Sequence, residues 1–305
     1  MSWVAPLANW ASVLLYKKDL MTHLGKTYTL ETVHFTSTPA MVSAIANNQL
    51  EVGSFAYSSF AIAVANAGLD DLQVIADEFQ EGVPGYYTDK YWVRKDSGIN
   101  KVADLKGKVV GTNGGGSAVD VAIRAELHKH GLEPNRDYTF LEGPLPAMPA
   151  MLLEKKADLI PAVLPFALNP KLNAQAKPLF TQADATGRTD MIVLCARKSF
   201  IKEHHAAMVD YAEDMLRVVH WYLNPKNHKE VEQIASKITK APASRFGWLY
   251  TKNDNYRDPN MMPDLAALQN NVDTVQKLGF IKKHIDVKAH SDLSLIKEAA
   301  ARLKK

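Results

Sequence analysis

The sequence predicts an α/β protein of two lobes, joined by two crossover segments and finished by a helical tail. Short apolar runs alternate with helical patterns from the start, the signature of parallel sheets with crossover helices. Composition breaks at Glu81-Gly82-Val83-Pro84-Gly85 and shifts again near 187–197, so the chain leaves one block and returns to it. Beyond Ser199 the character changes to long helices. A length of 305 residues suits two real cores, at roughly 100–200 residues per domain. The expected division is residues 1–85 for the first part of one lobe and 86–190 for the second lobe. Residues 191–305 then supply a return strand and helical tail that complete the first lobe.

Trp3–Ala5 reads as a strand, followed by a loop from Pro6 to Asn9 and a helix through about His23, stopped at Gly25. Tyr28–His34 reads as a second strand. Phe35-Thr36-Ser37-Thr38-Pro39 turns into a helix over Ala40–Asn47, with Pro39 suited to the first helical position. Leu50–Gly53 is a short strand, Ser54–Ser59 leads into a small-residue helix ending near Gly68, and Leu72–Ala76 is a buried strand. In the second block Tyr91–Arg94 is a strand. Val109–Gly111 is a strand feeding Thr112-Asn113-Gly114-Gly115-Gly116-Ser117 and a helix to about His130, closed at Gly131. Tyr138–Leu141 and Leu159–Leu164 are strands around a short helix, Met148–Lys155, and Met191–Ala196 is the last strand. Phe200–Leu223 reads as one helix, and Asn224-Pro225 caps the next. Pro263–Leu278 carries Leu265, Leu268, Val272, Val275 and Leu278 at helical spacing and stops at Gly279-Phe280.

Composition removes several functions. With 36 Lys plus Arg against 33 Asp plus Glu, the net charge is +3, and no basic block gives a case for nucleic acid. A single cysteine excludes a disulfide framework and any multi-cysteine metal site. No run approaches the roughly 18 apolar residues needed to span a bilayer. No charged segment followed by an apolar one begins the chain. It opens instead on Met1-Ser2-Trp3-Val4-Ala5, as if a leader and part of the first strand had been removed.

Lys95-Asp96-Ser97-Gly98-Ile99, then Val102-Ala103-Asp104-Leu105-Lys106-Gly107-Lys108 and a strand, resembles the nitrate/sulfonate/taurine class of periplasmic substrate-binding proteins of ABC importers. Relatives in that class bind thiamine-pyrimidine precursors. Gln49-Leu50-Glu51-Val52-Gly53, Ala157-Asp158-Leu159-Ile160, Arg197–His204 and Asp273–Gly279 resemble further family segments, in family order. The resemblance spans nearly the whole chain. It implies a type II periplasmic binding protein fold whose cleft closes on a ligand, a membrane permease as partner, a monomeric state, no cofactor and a periplasmic location. Where the family has Gly-Glu-Pro near the cleft, this chain has Leu164-Pro165-Phe166-Ala167, which points away from the smallest anions.

In such a fold, strand ends and helix N-termini face the cleft. Gly114, Gly115 and Gly116 with Ser117 follow a strand and open a helix. Their backbone N–H groups and the helix start could receive a carboxylate or sulfonate; the alternative is a tight turn with nothing bound. Neither a P-loop nor a dinucleotide fingerprint is present. Replacing Gly115 by a bulkier residue is expected to weaken binding. Ser37 and Thr38 form a second candidate anchor, unless Thr38 simply caps its helix. Tyr57 and Ser58 lie in a third such junction. Trp10, Phe35, Phe55 and Phe166 fall at or beside cleft loops, where flat walls would favour an organic ligand, aromatic ones included, over nitrate; taken singly, each is more often core than cleft, and their clustering at junctions is the argument for the wall. Arg188 could clamp an acid group bidentately or pair with Asp184 or Asp190.

The ten histidines show no metal-ligand spacing. Cys195 reads as a buried small hydrophobe. Asp70-Asp71 and Asp77-Glu78 read as solvated loop charge. The expected function is a non-catalytic receptor for a small organic anion, a carboxylate or sulfonate such as phthalate-like acids or taurine-like sulfonates. The alternative is a thiamine-pyrimidine precursor binder or a synthase-like enzyme of the same fold; that enzyme type is cysteine-rich, and this chain has only Cys195. A cytosolic ligand-responsive regulator is a third class, disfavoured because no helix-turn-helix precedes the lobes.

Overall fold

A computed structural model describes residues 1–304. In chain order its strands are β1 (Ser2–Trp3), β2 (Val33–His34), β3 (Val52–Ala56), β4 (Leu72–Glu81), β5 (Lys90–Arg94), β6 (Lys108–Thr112), β7 (Tyr138–Glu142), β8 (Leu159–Ala162), β9 (Ala176–Thr181) and β10 (Thr189–Arg197). β1 and β2 form a parallel pair, β3-β10-β4 a three-stranded sheet, and β7-β6-β8-β5-β9 a five-stranded sheet.

Strand alternation assigns each sheet two apolar faces. On the three-stranded sheet, Ile75 and Leu194 pack under helices His205–Leu223 and Ser294–Arg302. Val74, Val193 and Cys195 point the other way, toward helices Tyr57–Asn66 and Leu265–Lys277. On the five-stranded sheet, Tyr91, Val93 and Leu159 serve one core while Trp92 and Ile160 serve the other. The α/β architecture is the one expected, with the two sheets as its two lobes and the chain crossing between them at 82–89 and 187–188.

The sheets are mixed rather than parallel. β10 runs antiparallel to both β3 and β4, and β5 runs antiparallel to β8 and β9, whereas β6 is parallel to β7 and β8. The reversed strands β5 and β10 are the two that follow a crossover. Each enters its sheet from the side facing the other lobe, opposite to strands fed by a helix within the lobe.

Several local expectations change for identifiable reasons. β4 continues to Glu81, five residues past the expected end, because Asp77, Glu78 and Glu81 are buried inside the sheet rather than solvated. Asp70 and Asp71 do lie near the surface, paired with Lys283 and Arg197. β9 is hidden in the sequence by Lys177-Pro178, and Pro is tolerated because β9 is an edge strand. The region expected as a helix to His23 consists of tight turns over Trp10–Ser12 and Leu14–Leu20, with Lys17 leaving helical geometry at φ −125° and ψ 37°. Of Tyr28–His34 only Val33–His34 pairs as strand. The helix from Phe200 divides at His204 into Lys198–Glu203 and His205–Leu223. The C-cap at Gly279 forms as expected: its φ is 79°, and the Phe280 N–H donates to the Val275 carbonyl at 3.2 Å.

Candidate functional site

Where the lobes meet, a cavity of about 70 Å³ takes its walls from both. The first lobe supplies Val4, Ala5, Ala8, Asn9, Thr38, Ala56, Phe79, Met191, Ile192 and Asn255. The second supplies Asp89, Asn113, Ser117, Ala118, Val119, Leu145, Val163 and Leu164. Its walls are largely apolar, and no Lys, Arg or His is among the described residues that line it.

Helix Ala118–Lys129 begins at this cavity. Ser117 is its N-cap, and the Ser117 Oγ accepts the Asp120 N–H at 3.3 Å. The Ala118 and Val119 amides belong to the first turn, where no intrahelical carbonyl is in reach. Both residues line the cavity, so these two donors and the positive end of the helix dipole are available there.

The glycine loop just before it is differently employed. The Gly115 N–H donates to Glu142 Oε1 at 3.0 Å, the Gly116 N–H to Asp120 Oδ2 at 2.8 Å, and the Ser117 N–H to the Gly114 carbonyl at 3.1 Å. Gly115 is exposed and has no lobe-to-lobe contact to disturb. Gly116 instead allows the lobes to approach, while at Gly114 a Cβ would make only an ordinary contact. A Cβ on Gly114 would come within 3.5 Å of Ser37 Oγ, and one on Gly116 within 2.7 Å of Ile62 Cδ1. The loop thus serves contact between lobes, and the free amides lie one turn further on than the sequence alone places them.

Thr38 lines the cavity and its Oγ1 accepts the Ser59 hydroxyl at 2.6 Å, which leaves the Thr38 hydroxyl as a donor. Pro39 immediately precedes helix Ala40–Ala46, and Thr38 provides no side-chain cap to it. Ser37 is buried opposite Gly114. Tyr57 is fully buried and spans the lobes, its hydroxyl donating to the Ala118 carbonyl at 3.2 Å. Ser58 is buried beside it with an unpaired Oγ and does not line the cavity.

The expected aromatic wall is absent. Trp10 stacks on Tyr250 at 5.3 Å inside the first lobe, under the Arg257 guanidinium. Phe55 is fully buried in the same lobe, Phe35 packs against its core, and Phe166 is half-buried away from the cavity. Apolar residues next to strand ends are drawn into the nearest core, which sequence proximity to a loop does not reveal. Phe79 is the aromatic that reaches the cavity. Arg188 does sit at the second crossover, but its Nε is 2.6 Å from Asp264 Oδ2 and its Nη2 donates to Gln80 Oε1 at 2.9 Å. It pairs with neither Asp184 nor Asp190.

Asp89, Asn113 and Asn255 carried no signal in the sequence, because each becomes a cavity residue only when distant segments meet. Asp89 is 3% exposed, its Oδ1 has no hydrogen-bond partner, and its backbone N–H donates to the Glu81 carboxylate at 3.1 Å. Burial holds the Asp89 carboxyl well above the ordinary range, and burial with Asp89 beside it does the same for Glu81. Asn113 Oδ1 is likewise buried and unpaired.

Away from the cleft, His23 lies 3.7 Å from Asp210 and 3.6 Å from Glu213, a grouping that residue spacing did not foretell. Arg302 and Arg217 pair with the same carboxylates, so the cluster is a compensated ion-pair network. Cys195 is fully buried and its thiol is pushed up by burial.

The fold recurs in proteins of low sequence identity. The alkanesulfonate-binding protein SsuA from Xanthomonas axonopodis pv. citri, bound to MOPS, matches with a TM-score of 0.73 at 16% identity, over 96% of this chain and 98% of that one. The periplasmic nitrate-binding protein NrtA from Synechocystis PCC 6803 matches with a TM-score of 0.75 at 16% identity, over 99% of this chain and 88% of that one. A desulfurization enzyme, DszB, also shares it, with a TM-score of 0.67 at 10% identity over 99% of both chains. None of the curated protein sequences matches this chain. These likenesses establish the type II binding-protein fold. At the level of sequence, the model of the NMT1-like family matches residues 1–236, and the chain belongs to that family.

Proposed function

We propose that this protein is a solute-binding receptor of an ABC importer, acting in the periplasm and delivering a small organic anion to a membrane permease. The observation that carries this reading is the cavity between the lobes, with the free Ala118 and Val119 amides on one wall. An acid group there would accept two N–H donors and the helix dipole without a basic side chain. The rest of the solute would lie against Phe79, Leu145, Met191 and Ile192. Contact with both lobes gives the ligand its preferential affinity for the closed form, and hinge motion at 82–89 and 187–188 supplies that form. No helix among the described residues is long and apolar enough to cross a membrane, consistent with a separate permease.

Size narrows the ligand. A cavity of about 70 Å³ is several times the roughly 10–15 Å³ that a single water requires, and so admits a small solute. A taurine-sized sulfonate or short carboxylate fits this arrangement, whereas a phthalate-like acid requires the lobes to separate further. The fold also supports enzymes, but catalysis would need a reactive group at the cavity. Cys195 is enclosed in the sheet, and Asp89 is the acid or base lining the site.

Thermal unfolding against alkanesulfonates, taurine, short carboxylates, phthalate isomers, nitrate and thiamine-pyrimidine precursors tests the proposal. A ligand at about 100 times its dissociation constant adds roughly 2.7 kcal/mol, a shift of several degrees. A shift with small organic anions is expected. A response to a neutral pyrimidine and to no anion would transfer the site to the vitamin-precursor class.

A further inference from the structure

We propose that Asp89 is a specificity-determining acceptor in the cleft, and that the solute it selects carries an ammonium or similar N–H donor in addition to its acid group. This rests on the receptor reading above and names its ligand class more narrowly.

The polar inventory of the cavity leads to it. The Asn9 Oδ1 is saturated, accepting the Val4 and Ala5 amides at 3.0 Å each, and one of its two Nδ2 hydrogens goes to Glu78. Asn255 uses its Nδ2 on Glu81 Oε1. The remaining donors are the Ala118 and Val119 amides, the Ser117 and Thr38 hydroxyls and the unused Nδ2 hydrogens of Asn9, Asn113 and Asn255, which suit an acid group. Of the acceptors left at the cavity, Asp89 Oδ1 and Asn113 Oδ1 are buried and unpaired. Leaving a buried acceptor without a donor is costly, and more so when it is charged. Native interiors rarely leave such groups unsatisfied without a functional reason.

A simple anion leaves both acceptors without a donor and brings no cation to the buried Asp89–Glu81 pair, and no Lys, Arg or His among the described residues lining the cavity supplies one. A solute with an acid group at one end and an ammonium at the other satisfies both sets. Its negative end meets the helix start, and its positive end meets Asp89 and the Asn113 carbonyl oxygen. Glu81 positions Asp89 from behind: its carboxylate accepts the Asp89 backbone N–H and is itself held by Asn255. The pair of carboxyls straddles the first crossover, with Glu81 ending β4 and Asp89 preceding β5. An ammonium seated there contacts the junction whose geometry changes on closure.

Two isosteric pairs test this by titration calorimetry on the full chain: taurine against propane-1-sulfonate, and β-alanine against butanoate. In at least one pair the amine member is expected to bind about tenfold tighter or more, as for a desolvated charge-assisted contact. Asp89→Asn should reduce that preference to about twofold while propane-1-sulfonate binds no worse. Equal affinity within both pairs would overturn the inference and leave the anion receptor standing. A preference that survives D89N would remove Asp89 from the role. No binding by any of the four overturns both the small-anion reading and this one. The wild-type comparison decides the ligand class even if D89N fails to fold.

Discussion

Gly82 and Gly187 lie against one another where the two crossovers run side by side: a Cβ on Gly82 would stand 2.7 Å from the Gly187 carbonyl oxygen. Both residues have positive φ, 69° and 68°. The first crossover therefore turns in a conformation that L side chains rarely adopt, with no room for one. Gly82→Ala should destabilise the protein by roughly 1–3 kcal/mol, read as a lower urea midpoint. Gly85→Ala, whose added Cβ meets nothing within 4 Å, keeps positive φ as the sole source of strain and should cost less. Equal costs would mean that contact between the crossovers is unimportant.

A second glycine lies where the lobes touch. The Gly116 φ is 77°, and its missing Cβ would press on Ile62 of the other lobe. Gly116→Ala should weaken ligand binding by more than about tenfold, or about 1.4 kcal/mol, on top of a stability cost of about 1 kcal/mol or more from holding a side chain at positive φ. Ile62→Ala should restore part of the loss, a coupling measurable in a double-mutant cycle. The exposed Gly115, substituted to Ala, should bind nearly as wild type. If Gly115 were the more sensitive position, the loop would be contacting ligand after all.

Stability should fall as pH rises from 5 to 8. Burial pushes Glu78 up to about 7, even though Asn9 and the Trp10 amide donate to it and Arg257 is close by. Asp77 and Asp190 face each other fully buried, and burial followed by mutual repulsion lifts Asp77 well above the carboxylate range; burial lifts Asp190 too. An acid raised in the folded state stabilises fully below its unfolded value and loses that contribution as pH rises through the folded one. Each such acid removes about 1.4 kcal/mol per pH unit within that window. Urea midpoints measured from pH 5 to 8 should therefore decline. Asp190→Asn should flatten the slope and raise stability at pH 8; a wild-type slope in that variant would sink the assignment.

Much of the fold was legible because it rests on local rules. Apolar runs and helical spacing located β6 and helix Leu265–Lys277 and met β3 only at Val52 and Gly53, and Gly279 stopped that helix through its own backbone freedom. The polar end of β4 was not legible. Asp77, Glu78 and Glu81 look solvated in one dimension, and become interior only when β10, Asn9 and Asn255 arrive from elsewhere in the chain. β9 escaped for the converse reason, since an edge strand tolerates the proline that argues against it.

The candidate site divides along the same line. By itself the sequence determined the α/β class, the order of most elements, the family resemblance and the strand–helix junction at Gly114–Ser117, because each follows from neighbouring residues. Only the tertiary structure decided that Glu142 and Asp120 occupy the Gly115 and Gly116 amides, leaving Ala118 and Val119 free. It also decided that Trp10 belongs to a core and that Asp89 stands unpaired at the cavity. Hydrogen-bond partners and burial are set by segments that meet across tens of residues, and periodicity shows which side of an element is apolar without showing what will face it.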